Sequence, residues 1–594
     1  MSKMAQSKSL LPRLPRTLRR GPAWLRWIGG QIRTFEILFV LLAILVGMAA
    51  GLFAVLQGAI ARTLQHYLFA LPDGVRLSGS PSLGWWQLLL LPAGGAILVG
   101  FNYAVKARRR SLVDAVEANA LHGGRMSSTD SAIVSGQTIL SNGFGASVGL
   151  EAAYAQLGAL AGSLSARWLS LRRADVRTLV GSGAGAAIAA AFGAPLAGAF
   201  YAFEVVIGAY SPVAIAPVVA AALAGAQTAQ RLGVVPYIVD VRPGPEIHTL
   251  GYLIYAALGI GCALIGIAIM RAVALVEGSS RAVLPSWSRP IVGGAILAMI
   301  ALASPQVLSA GHSALHIDLI SSAPLLVLAI ILGAKALASV VSLGFGFRGG
   351  LFFASLFLGT LVGQLYAGGL AWIVGQSVVD PGNAAMVGMA AMAVAIIGAP
   401  FTMAMLVLEA TGNFSLTGAV LAASLVASII VRQFFGYSFS TWRLHLRGET
   451  IRSARDVGWV KTLTAGRMMR REPNLAATAI SIGEFRRRFP LGSTSRVVLV
   501  DDAQCYAGII DPALAFAEGH EASAALGSLD VSRHFTLRPN MDIVEVMQAF
   551  DEAQTDELAI VDDRSQVLGI LTEAYVRRRY AEELEKAQRE MFGE

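Results

Sequence analysis

Cysteine is nearly absent from this 594-residue chain, which has Cys262 and Cys505 and no others. Two cysteines cannot build a disulfide framework or a four-ligand zinc site. Charge is scarce as well, at 14% of residues, where ordinary soluble domains carry about 25%. One soluble globule is therefore excluded. Hydrophobic residues make up 55%, which excludes disorder, and the 63 glycines follow no period of three, which excludes a collagen-like rod. No nucleophile, base and orienting group stand together and no metal cluster is present in the sequence, so an enzyme has little support. The net charge of +9 is not set in a polar, aromatic-bearing surface. It suits anionic lipid headgroups, not nucleic acid.

What charge there is lies mostly at one end. Residues 443–594 carry 44 of the 85 charged side chains, and the longer remainder carries 41. This divides the chain into a basic N-terminus (1–35), a membrane domain (36–442), a linker (443–463) and a water-soluble module. Residues 1–35 hold eight Lys or Arg and no acid, and the uncharged run Ile37–Ala61 that follows is long enough to span a bilayer. The positive-inside rule places the N-terminus in the cytoplasm. Later uncharged runs, such as 178–203, 349–379 and 381–408, are too long and too glycine-rich for single helices. Broken, tilted helices fit them, and non-helical backbone at membrane depth survives only where it is buried or lines a water-filled path.

The membrane domain repeats itself. Gly193-Ala194-Pro195 leads to Glu204 and Gly398-Ala399-Pro400 to Glu409, each acid nine residues after its proline, with an offset of 205. Gly149-Leu150-Glu151 and Gly350-Leu351-Phe352 form a second pair at an offset of 201. Two halves follow, roughly 35–235 and 245–442, an organisation that places transporter sites at the repeat interface. Helices that begin mid-membrane point free N–H groups and a positive dipole end at whatever lies there, and converging ends make an anion site. Segments 142–149 and 344–350 are the candidate starts.

Three acids stand alone in apolar surroundings: Glu151, Glu204 and Glu409. Each costs about 2.5–3.5 kcal/mol to place at the bilayer centre. Glu204 and Glu409 occupy matched positions, which favours a structural role such as bonding backbone groups at a helix end. Glu151 has Phe352 as its counterpart and follows directly on a candidate helix start. That favours a functional carboxylate, one that competes with a permeant anion and withdraws when protonated.

These residues resemble the CLC family of chloride channels and proton-coupled anion antiporters over nearly all of 35–442. Ala190–Val206 is similar to the family's glycine-alanine-proline helix ending in an acid. Gly149–Ala153, followed by Gln156 and Gly158, is similar to the G-[RK]-E-G-P signature, and Gly349–Gly359 resembles the G-x-F-x-P filter helix. The resemblance implies an all-α polytopic fold of broken, tilted helices in an inverted repeat, a homodimer with one pore per subunit, and Glu151 as the gate. The implied anion path runs along Gly149, Leu150, Gly350, Leu351, Phe352 and Phe353, with the Phe352 backbone N–H donating to the ion. There are departures. Arg110 or Ser111 stands where the family's filter serine is expected. Ser440 replaces a tyrosine near the end of the last membrane helix. Val205 replaces the glutamate that takes protons from the cytoplasm in many antiporters, which favours a passive channel.

Residues 464–584 repeat at an offset of 61, Val497–Asp502 with Gly508-Ile509-Ile510 against Leu558–Asp563 with Gly569-Ile570-Leu571. Each copy (464–525 and 526–584) reads as helix, strand, turn, strand, helix, ahead of a charged tail (585–594). This α/β module resembles a tandem CBS pair, which often binds adenine nucleotides. Gly569 and Thr572 keep part of the ligand motif, but Tyr575, Asp511 and Leu514 break it. That leaves a weak nucleotide site, and a structural or dimerising role is favoured. The sequence thus points to an anion channel of the bacterial inner membrane that carries chloride or another small anion, with both termini cytoplasmic and no required cofactor or metal. An antiporter on the same scaffold is the alternative, and a CBS-regulated cation transporter is the alternative from another class.

Overall fold

The computed structural model describes residues 23–105, 112–234, 247–315, 323–445, 463–494, 496–517, 519–529 and 535–592. The chain divides into two compact units, Met1–Asp456 and Val457–Glu594.

The first unit is helical. In chain order its helices are α1 (Ala23–Thr34), α2 (Glu36–Phe69), α3 (Trp85–Ala104), α4 (Ala115–Leu121), α5 (Ser128–Gly143), α6 (Glu151–Trp168), α7 (Arg173–Phe192), α8 (Pro195–Tyr201) and α9 (Pro212–Arg231). The second half supplies α10 (Thr249–Val283), α11 (Arg289–Ala303), α12 (Leu325–Gly344), α13 (Phe352–Val374), α14 (Pro381–Ile397), α15 (Pro400–Thr411), α16 (Phe414–Phe434) and α17 (Phe439–His445). Among the described residues, seven helices are long and apolar enough to cross a membrane. Helix α2 shows why: it buries Phe39, Ala43, Val46 and Ala50 while Ile37, Leu41, Leu45 and Leu52 face outward. A helix apolar on all sides is stable where its outer face meets lipid.

The long apolar runs break where the glycines dictate. Gly193 (φ 68°) and Gly398 (φ 84°) end α7 and α14 in the left-handed region that favours glycine. Pro195 and Pro400 then open α8 and α15, where a missing N–H costs nothing. The halves also share their tightest crossings. A Cβ on Gly158 would stand 2.2 Å from the Gly183 oxygen, and one on Gly359 would stand 2.2 Å from the Gly388 oxygen. Glycine is what lets α6 meet α7 and α13 meet α14 at backbone distance.

The C-terminal unit contains two three-stranded sheets. Strands β1 (Leu475–Ala477), β2 (Val497–Val500) and β3 (Tyr506–Ile510) form one, and β4 (Thr536–Leu537), β5 (Glu557–Val561) and β6 (Val567–Thr572) the other. In each, the first strand pairs parallel to the second and the second antiparallel to the third. The sequence reading of each copy lacked its first strand. At three and two residues, β1 and β4 are too short to show an alternating pattern. Val498 and Ile509 from one sheet pack with Ala559 and Ile570 from the other.

Candidate anion site at two helix starts

Helices α4, α14 and α16 begin on polar caps. Asp114 accepts from Glu117 N at 2.8 Å, Asp380 from Asn383 N at 2.8 Å and Asn413 from Leu416 N at 3.0 Å. Helices α6 and α13 begin differently, on Leu150 and Leu351, whose side chains cap nothing. The first-turn N–H groups of both helices are left to find another partner.

The backbone brings these two starts together. Gly149 and Gly350 form an isolated antiparallel bridge, Gly149 N to Gly350 O at 2.9 Å and Gly350 N to Gly149 O at 3.2 Å. The Glu151 carboxylate folds back over this bridge: a Cβ on Gly149 would lie 1.9 Å from its Oε2, and one on Gly350 would lie 3.6 Å from the same atom. The carboxylate faces the backbone N–H groups of Glu151 itself and of Phe353. Glu151 is 4% exposed, and its Oε2 has no hydrogen-bond partner. An acid oxygen left unsatisfied at membrane depth is costly to keep there.

Of the pathway residues expected from sequence, Gly149, Leu150, Glu151, Gly350, Leu351, Phe352 and Phe353 therefore fall at one place. The amide that meets the carboxylate is that of Phe353. The Phe352 ring packs against Phe192 (centroids 5.0 Å) and Tyr201 (6.2 Å). Ser440 is half-buried near the start of α17, and its hydroxyl makes no hydrogen bond among the described residues. Arg110 and Ser111 lie outside the described residues.

Glu204 and Glu409 cap each other's partner helix. Glu409 accepts from Leu196 N (2.8 Å) and Ala197 N (2.9 Å) at the start of α8. Glu204 accepts from Phe401 N (3.1 Å), Thr402 N (2.8 Å) and Thr402 Oγ1 (2.7 Å) at the start of α15. Glu204 projects from a π-helical turn, Ala202–Ile207, that also holds the half-buried Val205.

Several polar residues around the carboxylate were not singled out in the sequence. A cavity of about 80 Å³ beside Glu151 is also lined by Arg62, Gln65, Arg76, Tyr154, Ser309 and His312. His312 stacks on Phe353 with centroids 3.7 Å apart. Ser309 Oγ accepts from Gln65 Nε2 (3.0 Å) and Asn142 Nδ2 (3.0 Å). Beneath it, the fully buried Lys335 donates from Nζ to Val307 O (3.0 Å) and Ser309 O (2.9 Å). The signal that picked out the three acids, a lone charge in an apolar run, also marks Lys335.

In the C-terminal unit, Thr572 Oγ1 accepts from Tyr575 N at 3.4 Å and Asp511 Oδ1 from Ala513 N at 2.9 Å, so both matched positions cap a following helix. A Cβ on Gly569 would stand 2.6 Å from Arg470 O. The open depression of about 550 Å³ on this unit is lined by Thr478, Asp501, Tyr506 and Gly527, not by Gly569 or Thr572.

The family model for voltage-gated chloride channels matches residues 93–432. A ClcB-like protein of Ralstonia nicotianae is 31% identical over 388 residues, covering 62% of this chain and 88% of the relative. A voltage-gated ClC-type chloride channel ClcB of Escherichia coli is 28% identical over 404 residues, covering 66% and 95%. The crystal structure of a slow cyanobacterial Cl⁻/H⁺ antiporter aligns with a TM-score of 0.60 at 20% identity, covering 69% of this chain and 97% of that one. That of a eukaryotic CLC transporter aligns at 0.57 and 17% identity, covering 92% and 98%. At such identities the structural likeness shows the fold alone. The match to the family model spans more than half of the chain and contains both helix starts, Glu151 and the paired Glu204 and Glu409; the chain belongs to the voltage-gated chloride channel (CLC) family of integral membrane proteins.

Proposed function

We propose that this protein passes chloride or another small anion across the membrane, along a path through each subunit, with Glu151 as the gate. The observation that carries the reading is the Glu151 carboxylate seated where the starts of α6 and α13 meet, half-satisfied by amides and buried. A carboxylate there stands in for the anion. While charged, it holds the place by the same N–H groups and dipole ends that would attract chloride. Once protonated it loses that attraction, leaves, and the place becomes free for the anion. The homodimer, the cytoplasmic termini and a tandem CBS identity for the C-terminal unit belong to the same reading. The basic N-terminal run supports the cytoplasmic termini, the two like sheets support the tandem CBS identity, and the homodimer rests on the family resemblance.

Chloride efflux from liposomes holding the full chain tests it. Flux rises as the pH falls, and Glu151→Gln flattens that dependence. An unchanged pH profile in the variant removes Glu151 from the gate. The apolar Val205 favours passive conduction, since no titratable group stands at that point to relay protons. A reversal potential that stays fixed under a pH gradient supports this, and one that shifts assigns proton-coupled exchange on the same scaffold.

A further inference from the structure

The cavity beside Glu151 opens toward a second, wider one of about 540 Å³, and both are lined by Arg62, Gln65, Arg76 and Val234. Arg62 lies on α2, in the half toward Phe69. Arg76 follows that helix, just before the turn Leu77–Gly79. Tyr154 comes from α6, one turn after Glu151 and on the same face, and lines the inner cavity with it. Arg76 lines both cavities with Arg62, and Tyr154 and Arg62 converge over Gly58. A Cβ placed there would stand 3.0 Å from Tyr154 Oη and 3.5 Å from Arg62 Nη1. Tyr154 lies within electrostatic reach of Glu151, Arg62 and Arg76 together. Its hydroxyl makes no hydrogen bond among the described residues, and Arg62 makes no ion pair there. Among the described residues, the other ionisable groups facing this space are His312 in the inner cavity and His66 and Tyr67 in the wider one, where the fully exposed Asp73 sits 3.9 Å from His66.

We propose that Arg62, Arg76 and the Tyr154 hydroxyl form a capture site for a small monovalent anion, one step outside the position held by the Glu151 carboxylate. It rests on the proposed anion path. The chemistry is that of anion recognition: two guanidinium groups supply forked N–H donors and full positive charge, and a phenol O–H adds a third direction of donation. Cationic side chains lining a narrow mouth with low-dielectric walls concentrate counter-ions at its entrance. Glycine at position 58 leaves the ion its room. The site feeds the next one inward, because Tyr154 and Glu151 share a helix face and a cavity.

Gly58→Ala is the sharpest test. It adds one methyl group between the hydroxyl and the guanidinium, changes no charge, and replaces glycine within a helix by the best helix former. In liposome flux assays, Gly58→Ala and Arg62→Gln raise the chloride concentration for half-maximal flux roughly tenfold, and Arg62→Gln also lessens the dependence on ionic strength. Crystals of the full chain soaked in bromide show an anomalous peak between Tyr154 Oη and Arg62 in the wild type and none there in Gly58→Ala. Bromide bound beside Phe353 but absent over Gly58, with half-saturation unchanged in both variants, overturns the capture site and leaves the anion path standing. No bromide at either place, with no chloride flux, overturns the anion path itself.

Discussion

Gly149 and Gly350 exchange both of their backbone hydrogen bonds across the repeat interface, at 2.9 and 3.2 Å, and the Glu151 carboxylate rests on the bridge they form. A Cβ on Gly149 would collide with the acid and one on Gly350 would just touch it, so a pair of glycines from two separate halves shapes the seat of one carboxylate. Its consequences can be measured.

Gly149→Ala places a methyl group 1.9 Å from where Glu151 Oε2 now lies, and the carboxyl group must give way. The seat then favours the displaced position. A bias of about 1.4 kcal/mol raises chloride flux at neutral pH about tenfold. Stopped-flow chloride efflux from liposomes reads this directly, and flux equal to the wild type would contradict it.

Glu409→Gln removes the charge that accepts from Leu196 N and Ala197 N and leaves one amide oxygen for two donors. Leaving a part-buried N–H without its acceptor costs about 1–3 kcal/mol. The thermal midpoint of the detergent-solubilised protein falls accordingly. Glu204→Gln behaves alike, since Glu204 serves Phe401 and Thr402 in the same way.

Lys335→Met keeps the length of the side chain and deletes the donor to Val307 O and Ser309 O. Each orphaned carbonyl costs about 1–3 kcal/mol, and the loop that carries Ser309 beside Glu151 loses one of its anchors. Lower thermal stability together with reduced chloride flux is the expected result. A variant with wild-type stability and flux would show that the anchor is idle.

In the C-terminal unit, burial pushes the Tyr506 hydroxyl up to about 12 from its ordinary value of 10.0. The folded form keeps its proton where the unfolded form would lose it. The stabilising contribution is therefore whole below pH 10 and is lost as pH rises toward 12. The difference in tyrosinate absorbance between the wild type and Tyr506→Phe should titrate near the upper value. The variant should also lose less stability over that alkaline window.

Much of the membrane architecture was legible because its punctuation is chemical. Gly193 and Pro195, like Gly398 and Pro400, mark helix breaks that no apolar run could hide. The offset of 201 names a pair, Gly149 and Gly350, that meets in the structure, and the offset of 205 names two acids that each cap the helix start of the opposite half. What could not be read was distance between elements remote in sequence. Arg62 and Arg76 look like ordinary charges flanking a spanning helix until α6 brings Tyr154 against them. Tyr201 looks like one more apolar-run aromatic until its ring lies beside Phe352. The extra strand in each C-terminal copy escaped for a different reason: two or three residues cannot display a period.

The exchange of caps between Glu204 and Glu409 has a mechanical meaning. Each half of the membrane unit reaches across and latches the other with charge-assisted bonds, five in all among the described residues. Swinging one half against its inverted counterpart would have to unfasten that double clasp. On the proposed gate, such a clasp leaves the movement to a single side chain and holds the scaffold around it still.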